Sequence, residues 1–156
     1  MGAQGLLTGT GTRVPASHRD LLETPPVAAL STVGASGYPQ TTPVWCEASG
    51  PDVRVSTMRG FAKERNMRRC PAVTLLCFDP RDPLRYLEVR GVVVEMTEDL
   101  AVAHLDRLAS RYAGRSVRYF GDVVDAGLAA TERPVRCTVR PTHVVAMDAR
   151  GPVRSG

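Results

Sequence analysis

Residues 27–33 form an apolar run that stops at Gly34-Ala35-Ser36-Gly37, and a second run returns over residues 38–47. Four turn-forming residues between two strand-like runs leave room for little except a hairpin, so the chain commits early to antiparallel sheet. Gly50-Pro51-Asp52 turns the chain again, and residues 53–57 alternate as a third strand. Further apolar runs at residues 72–78, 86–96 and 135–147 are rich in valine, which suits a pleated surface better than a helix. Three helices are predicted between these runs. Residues 17–23 begin at Ser17 as N-cap and stop at Pro25-Pro26; residues 61–69 stop before Pro71; residues 98–112 place Ala101, Leu105, Leu108 and Tyr112 on one face. Residues 114–132 lack periodicity and predict a long surface loop. The sum is a mainly β (α+β) fold, a small antiparallel barrel with helices packed at its ends.

With 156 residues the chain can build one core but not two comfortable ones. Residues 1–16 are rich in Gly and Thr and predict a flexible tail, residues 17–148 the folded domain, and residues 149–156 a second tail. Aromatic residues make up 5% of the chain, so the core must be packed with aliphatic side chains. No apolar stretch is long enough to span a bilayer, and the first twenty residues lack the apolar centre of a signal peptide. The expectation is a cytoplasmic protein with no membrane partner. A net charge of +4 invites a nucleic-acid reading, but the arginines are scattered and carry no interleaved aromatics, so no nucleic-acid partner is expected. Cys46, Cys70, Cys77 and Cys137 form no C-x-x-C pair and have no His at ligand spacing, so free thiols and no metal site are expected. His18, His104 and His143 are far apart and suggest no hydrolytic constellation. His143 reads as support for a loop after Pro141, and Glu88 with Arg90 as a cross-strand ion pair.

Two segments carry chemistry. In Tyr38-Pro39-Gln40-Thr41-Thr42-Pro43-Val44-Trp45 the two prolines delete amide donors from one edge of the strand, where only Thr41 can still donate. Such an edge pairs poorly with another strand; it is either an edge protected from aggregation or a place for a flat hydrogen-bonding ligand. The second segment runs from Ser56 and Thr57 at a strand end, through Gly60, into a helix holding Lys63, Arg65 and Asn66. Hydroxyls, helix amides and one ammonium are the groups a phosphate needs, although the same residues also describe a capped, solvated helix. Lys63 is the single lysine among twenty basic residues.

YPQTTPVW, STMRGFAKERN and YLEVRG, taken together, resemble the pyridoxamine 5′-phosphate oxidase-like split β-barrel superfamily. The nearer resemblance is to its flavin/deazaflavin oxidoreductase branch, which uses coenzyme F420, and it extends over about residues 18–148. It implies a six- to seven-stranded antiparallel split barrel of the FMN-binding type. It also implies an oxidoreductase that transfers hydride to a flat conjugated small molecule, with an FMN-dependent enzyme or a non-catalytic planar-ligand carrier as alternatives. By the same resemblance Lys63 holds the cofactor phosphate, with Ser56, Thr57 and Asn66 beside it, and Gln40, Thr41, Thr42, Pro43 and Val44 form the strand under the cofactor ring. Trp45 would pack below that strand. Phe61 stands where many relatives carry a second basic residue. No residue is given a catalytic role, since the cofactor supplies the redox chemistry. The resemblance implies a homodimer with the cofactor at the subunit interface.

Overall fold

The computed structural model describes residues 7–148. Eight strands form one curled antiparallel sheet: β1 (Leu7–Gly11), β2 (Val27–Val33), β3 (Pro39–Val44), β4 (Cys46–Ser49), β5 (Asp52–Met58), β6 (Ala72–Asp79), β7 (Asp82–Thr97) and β8 (Pro134–Met147). Seven of them lie in the order β3-β2-β6-β7-β8-β5-β4, and β1 pairs with β8. The helices are α1 (Asp20–Glu23), α2 (Ala62–Arg69) and α3 (Ala101–Ala113). This is the split barrel that the motifs imply.

Period-two burial decides which side chains meet. Leu30, Val53, Val55, Leu75, Leu87, Val89, Val135 and Val139 all point inward, and no aromatic ring belongs to the core cluster. Cys46, Cys77 and Cys137 are free and buried in that core, as small apolar side chains. Met67 of α2 and Leu21 and Leu22 of α1 close the barrel.

Several local readings differ from the sequence expectation. Ser17 does not cap α1: it lies in a 3-10 turn, Ala16–His18, and the helix starts at Asp20 after Arg19. Within residues 1–16, Leu7–Gly11 is a strand, because β5 covers only the first half of β8 and Val144–Met147 would otherwise leave that edge unpaired. Residues 1–6 and 149–156 lie outside the described residues. The return strand of the hairpin is two strands, broken at Trp45, so that β3 pairs with β2 while β4 pairs with β5. Glu88 and Arg90 pair within one strand, 2.9 Å apart, instead of across two. His143 is an exposed residue of β8, opposite Arg90, with a bulge between it and Pro141.

Candidate functional site

The hairpin β2–β3 ends the sheet, so β3 is an edge strand. Pro39 and Pro43 cannot donate to β2, which leaves alternate residues Gln40, Thr42 and Val44 to make the ladder and turns the Thr41 amide to the open edge. Gln40 and Thr42 extend toward α2, whereas Thr41 points to the opposite face, where its hydroxyl lies 2.7 Å from Ser31 Oγ.

Gly60, at φ +85°, makes the left-handed turn that takes β5 into α2. Phe61 provides no side-chain cap, and Glu64 instead accepts the Gly60 amide at 3.1 Å and pairs with Arg68. Lys63 therefore sits in the first helical turn, where the dipole disfavours a cation. Its ammonium donates to Thr42 Oγ1 at 2.9 Å, and burial, with no anion among the described residues to offset it, pushes its pKa below the ordinary lysine value. One turn later Asn66 Nδ2 donates to Thr32 Oγ1 at 3.1 Å and to Gln40 Oε1 at 3.3 Å. Lys63 thus gains neither helix stabilisation nor, among the described residues, a carboxylate partner.

A cavity of about 410 Å³ opens beside this lysine, a volume ordinary for a small-molecule site. Pro43, Val44, Ser56, Thr57 and Lys63 line it, so the structure brings five of the nine sequence-designated residues to one surface. Thr42 joins through its bond to Lys63; Gln40 and Asn66 form the adjoining hydrogen-bonded pair; Thr41 reaches the edge only by its backbone. Ser56 Oγ and Thr57 Oγ1 are buried and have no hydrogen-bond partner among the described residues. Two unpartnered hydroxyls and an ammonium bonded to a neutral oxygen, on residues that line one cavity, are groups that an anion with several acceptor oxygens could satisfy.

The opposing wall was not legible in the sequence. Trp45, at the break between β3 and β4, lines the cavity instead of packing below the strand. Its ring stacks on Tyr112 at 5.1 Å and 22°, and Tyr119 meets it edge-on at 5.9 Å and 88°. Tyr119 belongs to the irregular stretch 114–132, which is folded back on α3 by the Tyr119 amide bond to Asp106 (2.7 Å) and the reciprocal bonds of Val117 with Ser110 (3.0 Å). The chain has eight aromatic residues, and Trp45, Phe61, Tyr112 and Tyr119 all line this cavity. That concentration of a scarce residue type is the signal that could have exposed the wall.

Glu47, two residues past Trp45, holds α3 in place under that wall. Its buried carboxylate lies 2.6 Å from Arg107 and 3.8 Å from Arg111. His104 Nε2 is 3.2 Å away, within ion-pair distance although its alignment falls short of a hydrogen bond. Burial raises the Glu47 pKa, but His104 and Arg107 outweigh it and bring the group down to about 2. A carboxylate depressed in the folded state stabilises the protein above its unfolded pKa, and that contribution is lost as pH falls through the folded value. Glu47→Gln is expected to cost on the order of 2–3 kcal/mol at neutral pH. It should also flatten the acid limb between about pH 5 and pH 2. Urea unfolding at pH 6 and pH 3 checks this; parallel losses in both proteins would show that the cluster contributes nothing.

Comparison with known proteins agrees with this geometry. A family model described as pyridoxamine 5′-phosphate oxidase matches residues 14–136. Among solved structures the chain is similar to an F420 reductase, at 34% identity over 84% of this chain and 98% of that one, with a TM-score of 0.70. A conserved hypothetical protein from Mycobacterium tuberculosis shares 21% identity over 94% of both chains, with a TM-score of 0.68. An FAD and heme binding protein from Mycobacterium smegmatis shares 17% over 94% of this chain and 76% of that one, with a TM-score of 0.63. The last two show a common fold alone. No match is found among curated proteins.

Proposed function

This chain belongs to the pyridoxamine 5′-phosphate oxidase family of split barrels, and we propose that it is an oxidoreductase that binds coenzyme F420 and acts on a flat conjugated small molecule. The observation that carries the reading is that Ser56 and Thr57, whose hydroxyls have no partner among the described residues, line one cavity with Lys63, whose ammonium meets only the Thr42 hydroxyl there. They fit a phosphate-bearing cofactor: Lys63 supplies the charge, the hydroxyls supply donors, and Asn66 fixes Gln40 at the neighbouring edge. Pro43 and Val44 present an apolar strand for a planar ring, with the Thr41 amide free on the open edge. Bound there, a deazaflavin supplies hydride chemistry, which the side chains of this cavity do not. What the chain contributes is placement and dryness: Trp45, Tyr112 and Leu105 wall off water on the far side, and Tyr112 Oη is tied to the Pro26 carbonyl at 2.6 Å.

The choice of F420 follows the 34% identical relative named F420 Reductase, and with phenylalanine at position 61 Lys63 is the one cation among the described residues that line the cavity. FMN is the second reading, favoured by the family description. Fluorescence titration of the purified protein with each cofactor separates them. F420 is expected to bind at least about tenfold more tightly; the reverse order selects FMN, and no binding of either removes both. The proposal includes a homodimer, and Leu76 on β6 and Val92 and Val94 on β7 are exposed apolar residues that a second copy could cover. Light scattering on the same samples should give twice the mass of one chain; a single-chain mass would remove that part.

A further inference from the structure

Two phenols line the cavity, and they differ in what the protein does with them. Tyr112 gives its hydroxyl hydrogen to the Pro26 carbonyl. Tyr119 is held by its backbone amide on Asp106 and by its ring, edge-on to Trp45 and to Phe120 (5.1 Å, 83°), while its Oη makes no hydrogen bond among the described residues. One backbone bond and two ring contacts thus fix the residue, and none uses the oxygen. Apart from Lys63 the residues lining the cavity are uncharged, and Pro26, Val27 and Leu105 complete an apolar surface around the two tyrosines.

We infer that Tyr119 is a specificity-determining residue, whose Oη donates a hydrogen bond to a ring or carbonyl oxygen of an uncharged planar substrate lying against Trp45. The inference rests on the reading under Proposed function, which gives the ammonium and the orphaned hydroxyls to the cofactor and leaves this phenol as the donor for the substrate. Burial, with the Glu132 carboxylate adding to it, raises the Tyr119 pKa, so the phenol keeps its proton and acts as a donor. A site with one such donor discriminates between an oxygen-bearing ligand and its analogue without that oxygen, because only the first replaces the hydrogen bond that water gives the half-buried phenol before the ligand enters.

The test is a cycle of two proteins and two ligands: wild type and Tyr119→Phe, each titrated by calorimetry with coumarin and with 2H-chromene, which lacks the carbonyl oxygen. Phenylalanine keeps the ring contacts with Trp45 and Phe120. Tyr119→Phe is expected to weaken coumarin about 3- to 10-fold and to leave 2H-chromene within about twofold. Saturating F420 should change the coumarin affinity little, and Tyr119→Phe should leave F420 affinity unchanged. Equal losses for both ligands would mean that Tyr119 only packs, and would overturn the inference. No coumarin binding, or coumarin displaced by F420, would overturn it as well, the latter by giving the aromatic wall to the cofactor ring. If neither F420 nor FMN binds while the coumarin cycle behaves as expected, the failure falls on the cofactor reading and not on Tyr119.

Discussion

Lys63→Met is expected to weaken cofactor binding by at least tenfold, about 1.5–3 kcal/mol for one charge-assisted hydrogen bond, while the ligand-free protein unfolds no more easily than wild type. The two halves of that expectation have a common cause. Lys63 is partly buried, bonded only to a neutral hydroxyl, and placed at the end of α2 where the dipole opposes its charge. Its pKa is depressed by burial, so its charged form costs stability at neutral pH, and that cost fades as pH rises through the folded value. Methionine keeps the length of the side chain and removes the charge. A structural lysine would show the opposite pattern, with stability falling and affinity unmoved. Titration of F420 fluorescence and a thermal melt, both on the same preparation, decide between them. Unchanged affinity in the variant would remove the phosphate assignment.

Gly91→Ala is expected to destabilise the fold by about 2–3 kcal/mol, lowering the melting temperature by roughly 5–10 °C. A Cβ built at Gly91 would stand 2.6 Å from the Arg140 carbonyl oxygen and 2.7 Å from Val139 Cγ1. The first of these is backbone and cannot turn aside. Gly91 lies opposite Pro141, where β7 and β8 shift register around a bulge, and the two strands approach closely only because no side chain stands between them. The reason is proximity, since Gly91 is not among the positive-φ glycines. Differential scanning calorimetry checks the expectation; a melt within one or two degrees of wild type would show that the bulge yields to a methyl group.

Gly91 also shows how far the sequence could be read. It closes the YLEVRG segment that carried part of the family resemblance, yet nothing in that segment gives a steric reason for glycine. The reason is Arg140, some fifty residues away, brought there by strand pairing. The hydroxyl–lysine side of the cavity was more legible. Ser56, Thr57 and Lys63 lie within eight residues, and a strand end, a glycine turn and a helix start are local events with local signatures. Thr42 and Lys63 belong to separate motifs, and the hydrogen bond between them belongs to the fold.

The aromatic wall was hidden for the same reason. Trp45 sits where one strand becomes two, and its neighbours Tyr112 and Tyr119 come from α3 and the stretch after it. The burial of Glu47 against three residues of α3 depends on that break as well, because it turns Trp45 and Glu47 toward the helix.

By itself the sequence determined the antiparallel sheet, the proline-blocked edge of β3 and the hydroxyl–lysine step into α2. Each of these is fixed by dihedral preference, hydrogen-bond capacity or side-chain period within a few residues. The tertiary structure decided that β1 continues β5 along β8, that Trp45 faces a cavity, and that Tyr119 lines it with a hydroxyl that has no partner among the described residues. Those outcomes depend on contacts between residues far apart in the chain, which close only when the core packs and which no local pattern encodes.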